Sequence, residues 1–245
     1  ITVESGLVNE CSFDNTIISN LNFGQNGGYR CIGFDGISNE SASANFMNSG
    51  AIAIDNASLG GIFSSGTFNN AASATINIGQ NGVNVDGDGI SSFSTFTNSG
   101  TITIDNTSSR GISNTGNFNN AANATINIGQ NAGNIGLDGV NNITVFINEG
   151  IINVDNVFTG VNNVSGQFDN TSIGTINIGQ NDGNISFNGI GNSSSPAVFT
   201  NSGTIIIDNT SNEGIENQAE FNNAANATIN IGQNDGRNEG IGIYN

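Results

Sequence analysis

The sequence predicts an all-β chain, a single parallel β-solenoid of about nine to ten three-strand coils, and three observations carry that prediction. Phe-x-Asn recurs nine times, at Phe13/Asn15, Phe46/Asn48, Phe68/Asn70, Phe96/Asn98, Phe118/Asn120, Phe146/Asn148, Phe168/Asn170, Phe199/Asn201 and Phe221/Asn223. A strictly alternating aliphatic pair follows, as in Thr101-Ile102-Thr103-Ile104, which is the period-two signature of a half-buried strand. Ile-Gly-Gln-Asn returns at 78–81, 128–131, 178–181 and 231–234, with Phe-Gly-Gln-Asn at 23–26. No stretch carries a helical period.

Successive Phe-x-Asn phenylalanines differ by 33, 22, 28, 22, 28, 22, 31 and 22 residues, so short coils of 22 alternate with long coils of 28–33. The whole chain, 1–245, reads as one domain: 1–12 is a partial first coil, and nine coils start at each Phe-x-Asn from residue 13. The first strand of a coil places Phe inward. The asparagine two residues later faces inward too, so Asn15, Asn48, Asn70, Asn98, Asn120, Asn148, Asn170, Asn201 and Asn223 should form a column. Each amide can donate to one neighbour and accept from the other. A buried amide without such partners would cost several kcal/mol, which makes a structural ladder the expected role.

The second strand supplies inward pairs such as Ile76/Ile78 and Ile126/Ile128, and the third is a glycine followed by an aliphatic residue, as in Gly89-Ile90 and Gly139-Val140. Stacking at about 4.8 Å turns each position into a column and buries faces that no single coil could bury. Long coils place their extra residues at two corners. From Phe to the first Ile is six residues in a short coil (Phe96 to Ile102) and eight in a long one (Phe68 to Ile76). From the second Ile to the Gly-linked Ile is eight (Ile104 to Ile112) against twelve (Ile78 to Ile90). Ridges about 9.6 Å apart, twice the strand spacing, are the expected result.

Composition narrows the function. The chain has 48 Asn, 35 Gly, three Arg, no Lys and no His, and its net charge is -17. A phosphate binder needs the opposite sign, so nucleic acid is not an expected partner. Without His or Lys the usual general bases and amine nucleophiles are missing, and Arg30, Arg110 and Arg237 fall in separate coils. An enzyme is not expected. No apolar run is long enough to enter a bilayer, so membrane insertion is not expected either. The start at Ile1 reads as a mature product or an excised piece.

Acidic residues follow the alternation of coils: Asp55, Asp105, Asp155 and Asp208 close the second strand of short coils, while Asp35, Asp86, Asp88 and Asp138 precede the third strand of others. These columns admit calcium, a hard cation that wants several oxygen ligands. The Gly-Gly-x-Gly-x-Asp repeat is absent, however, and no cofactor or metal is the primary expectation. Cys11 and Cys31 are the two cysteines, too few for a metal site, and they read as a disulfide in an extracellular or cell-surface protein.

The coil of about 22 residues, the Asn-Ser-Gly-Thr-Ile-x-Ile runs at 98–104 and 201–207, and the richness in Asn, Gly, Ser and Thr resemble the stalks of filamentous-haemagglutinin-like adhesins and autotransporter passenger domains. The resemblance covers nearly the whole chain and implies a secreted or surface structural role with no particular ligand. On this reading the chain is an extracellular subunit or stalk segment whose partners are copies of itself, stacked end to end through Ile1, Val3, Ile241, Ile243 and Tyr244. The alternative is an ice- or polysaccharide-binding solenoid, with a surface polysaccharide as partner. It would use the outward column Thr75, Thr101, Thr125, Thr175, Thr204 and Thr228 with the Asn column beside it. A polysaccharide lyase or hydrolase ranks last.

Overall fold

The computed structural model describes residues 2–3, 6–15, 20–24, 34–81, 84–131, 133–181, 183–233 and 240–245. Among these the regular elements are all strands, arranged in three parallel sheets that run along a common axis. The Phe-x-Asn strands form a nine-stranded sheet, the aliphatic-pair strands a ten-stranded one, and the strands after the glycines another of ten. They are called here the Phe, Ile and Gly sheets. Each strand pairs with its equivalents one coil away, so the chain visits the three sheets in rotation and forms a β-solenoid.

Register follows the repeat. Phe96 lies between Phe68 and Phe118, and Ile102 between Ile76 and Ile126. The expected inward positions are buried along nearly the whole stack. In the Phe sheet the rings from Phe13 to Phe221 form an unbroken pile, with neighbouring centroids 4.6–5.0 Å apart. Strand spacing sets that distance, and the pile therefore adds ring contacts to simple area burial.

A further buried column, not anticipated from the sequence, fills the corner between the Ile and Gly sheets. Ala57, Val85, Thr107, Ile135, Val157, Ile185 and Thr210 occupy it, joined in part by isolated parallel bridges such as Val85 to Thr107. The next corner admits only glycine. A Cβ on Gly111 would lie 2.6 Å from the carbonyl oxygen of Gly139 and 2.8 Å from Ile128 Cγ2, which is why Gly precedes the third strand in coil after coil.

Candidate functional site

The predicted asparagine ladder is complete. Asn15 Nδ2 donates to Asn48 Oδ1, Asn48 to Asn70, Asn70 to Asn98 and Asn98 to Asn120, at 2.7–2.9 Å. Asn120, Asn148, Asn170 and Asn201 continue it to Asn223, each bond at 2.8 Å. The second amide hydrogen reaches a backbone carbonyl on the Ile-sheet strand of the next coil, as in Asn148 to Thr175 O at 3.2 Å. Every rung donates toward the C-terminal coil. Asn15 Oδ1, the first acceptor of the series, is buried with no donor among the described residues.

A second ladder on the Gly sheet was missed by the sequence reading. Asn114 donates to Asn142, Asn142 to Asn163, Asn163 to Asn192, and Asn192 to Asn217, at 2.8–3.0 Å. At the other end Asn9 donates to Asn39 and Asn39 to the Ser64 hydroxyl, and the series breaks there because the Ser64 and Ser92 hydroxyls donate to carbonyls of their own coils. Its signal was present, an Asn or Ser two residues after each Gly-linked aliphatic residue.

The acidic column of the short coils proves to be the partner of Ile-Gly-Gln-Asn. Asp105 is buried, and its Oδ2 accepts Gln80 Nε2 from the preceding long coil and Asn131 Nδ2 from the following one, both at 2.9 Å. Asn81 reaches back to Asp55 at 2.7 Å, Asn181 back to Asp155 at 3.2 Å, and Gln180 forward to Asp208 at 2.9 Å. The asparagine after each aspartate takes φ near +50° and bonds the glycine carbonyl of the preceding long coil, as in Asn156 to Gly129 O at 2.7 Å. Burial pushes the Asp155 carboxyl above its ordinary range, against the pull of the Asn181 and Gln130 amides. These carboxylates act as hydrogen-bond acceptors between coils.

Arg110 and the acids of the Gly sheet also come together across coils. The guanidinium lies 3.9 Å from Asp88 Oδ1 and 3.8 Å from Asp138 Oδ2. Burial raises the Asp138 carboxyl, while the Asn162 amide and Arg110 act against that shift. Asn141 and Asn162 donate to the same Oδ2, so the group is locked by its own neighbours. Arg30 and Arg237 lie outside the described residues. Among the described residues no three His, Cys, Asp or Glu side chains converge as a metal site would require.

The outward Thr column is in register along the Ile sheet, from Thr75 through Thr101 and Thr125, and from Thr175 through Thr204 to Thr228. Ile151 divides it into two runs. In the column beside it the amides bond one another, Asn177 to Asn153 and Asn153 to Asn127, at 2.9 and 2.8 Å.

Of the predicted assembly residues, Ile241, Ile243 and Tyr244 are 57, 54 and 51% exposed. Val3 belongs to the strand Thr2–Val3, which pairs with Asn22 and Phe23. Ile1 lies outside the described residues. Cys11 is exposed, and its predicted disulfide partner Cys31 also lies outside the described residues. Beside the exposed strand Ile243–Tyr244 is a cleft of about 200 Å³ lined by Ile215, Asn217, Phe221, Ile243 and Asn245. Comparison with family models, curated proteins and solved structures finds no match to this chain.

Proposed function

We propose that the chain is a rigid, non-enzymatic structural element of an extracellular filament or cell-surface stalk, extended by stacking coil on coil. The observation that carries this reading is the continuity of the interior. The Phe pile, the Ile pairs and the asparagine ladder follow one period from one end of the stack to the other, with side chains of Ile243 and Tyr244 left exposed. A parallel edge of this kind is a template for another strand. The sides carry most of the -17 charge and repel one another, so growth along the axis is favoured over lateral association. The expected partners are copies of the chain, and no cofactor is needed. Negative-stain electron microscopy tests this. Long uniform filaments are the expected outcome, and isolated rods of about 4–5 nm at every concentration and salt would overturn it.

The in-register Thr column supports a second reading, binding to ice or a surface polysaccharide through the Ile sheet. An ice-recrystallisation assay separates it. Activity lost on Thr101→Lys would favour the second reading over the first.

A further inference from the structure

Charge is not spread evenly around the rod. None of the ten strands of the Ile sheet contains an Asp, Glu or Arg, although the chain carries a net charge of -17. The outward positions, first and third in each four-residue strand, hold only Thr, Asn, Ala and Ile. The acids that follow the sheet, Asp55, Asp105, Asp155 and Asp208, are at most 2% exposed and are held by the Ile-Gly-Gln-Asn corners. Glu149 is the one charged residue in the described turns that lead into it. The other two sides differ. The Phe sheet points Asp14 and Asp169 outward, and the Gly-sheet side carries Asp86, Asp88, Glu213 and Glu216 beside exposed rings such as Phe158.

The uncharged face is also regular and partly satisfied along its own length. Its columns repeat at the strand spacing of about 4.8 Å, and the Asn177 and Asn153 amides already donate to their neighbours at 2.9 and 2.8 Å. Ile151 stands in the first outward column, 41% exposed, and Ile206 in the second, two coils further on. Apolar side chains on an open, uncharged sheet gain by being covered.

A second copy of the chain suits this face on three counts. Two Ile sheets meet without a like-charge contact, which neither of the other sides allows between copies of so acidic a chain. Both have the same strand spacing, so the side-chain rows of one can seat between those of the other, with the sheets about 10 Å apart. Ten strands of up to four residues present a plane of about 600 Å² on each copy, about 1,200 Å² for two, which is where specific interfaces begin.

We propose that two copies of this chain pack side by side through their Ile sheets, with Ile151 and Ile206 inside the contact. The contact is lateral and does not rest on end-to-end growth. It takes the surface that binding to ice or a polysaccharide would need.

Alkylation of single cysteines tests it, each placed in a Cys11→Ser, Cys31→Ser background. Thr125→Cys lies on the Ile face and Thr95→Cys on the Phe face, both at outward positions. The expected result is that Thr125→Cys reacts several-fold more slowly in concentrated than in dilute solution, while Thr95→Cys reacts equally in both. Adding Ile151→Asp should restore the fast reaction of Thr125→Cys, and adding Thr97→Asp should not. Equal reactivity of Thr125→Cys at every concentration, or protection of both positions alike, overturns the pairing. Protection that arises only when a cello-oligosaccharide is added overturns it as well and gives the face to a glycan. End-to-end growth leaves both outward columns open, so the filament reading stands or falls separately, in the microscope.

Discussion

Asn98 donates its side-chain amide to Asn120 Oδ1 at 2.9 Å, and Asn120 donates onward to Asn148 at 2.8 Å, so one side chain serves the coils on both sides. Asn120→Leu removes both bonds and leaves Asn148 Oδ1 buried without its donor. A loss of roughly 1–3 kcal/mol is expected. A thermal melt checks it, and an unchanged midpoint would show that the ladder contributes nothing to stability.

The ring pile gives a larger effect. Phe118 is fully buried between Phe96 and Phe146, at 4.8 and 4.7 Å. Phe118→Ala is expected to cost about 3–5 kcal/mol through lost burial and the cavity left behind. Ile173→Ala, at a turn where the side chain is 63% exposed, should stay within about 0.5 kcal/mol. Denaturant melts of the two variants should separate clearly, and equal midpoints would deny the pile its role.

Two glycines supply a matched pair. Gly79 has φ +69°, and a Cβ there would stand 1.8 Å from the Asp105 carbonyl oxygen of the next coil. At Gly191 the nearest atom to a Cβ is 3.5 Å away. Gly79→Ala is expected to lose at least roughly 1–2 kcal/mol from the left-handed backbone alone, with the clash in addition. Gly191→Ala should be tolerated. Hydrogen exchange at residues 101–108 reads the local damage, and protection equal in both variants would count against the close packing of that corner.

Acid should stabilise the fold. Burial raises Asp35, Asp138 and Asp155 above the ordinary carboxylate range. A raised carboxyl means that the folded state binds protons more readily than the unfolded chain. Its contribution to stability is therefore fully present below the unfolded value of about 3.9 and is lost as pH rises through the folded value. Protonation also reduces the -17 self-repulsion. The melting temperature in dilute solution should thus be higher at mildly acidic pH than at neutral pH, and a fall on acidification would contradict the burial of these three groups.

Much of the architecture was legible because it depends on residues close together in sequence. Phe-x-Asn, the alternating Ile pair and the glycine before the third strand each declare a strand, and equal spacing declares the stack. The pairing of Gln80 and Asn131 with Asp105 was not legible, since it joins residues 25 and 26 positions apart in chemically different corners. The same applies to Arg110, whose partners Asp88 and Asp138 belong to the coils before and after it. Composition suggested three isolated arginines, and only the stacking shows that one of them has acids on both sides. The Gly-sheet ladder could have been read from spacing, but Ser64 and Ser92 break the Asn series and obscure it.

The clasp between Ile-Gly-Gln-Asn and the buried aspartates also constrains how this molecule can change length. Gln80 and Asn131 hold Asp105 from opposite sides, so a short coil needs a long coil on each flank. Gain or loss of a single coil would bring two like corners together and leave an aspartate or a glutamine without its counterpart. A pair of coils can be added or removed and every contact restored. Homologous lengths should therefore be quantised, in increments of about 50 residues and about 9.6 Å of rod, like a ruler graduated only in whole double steps.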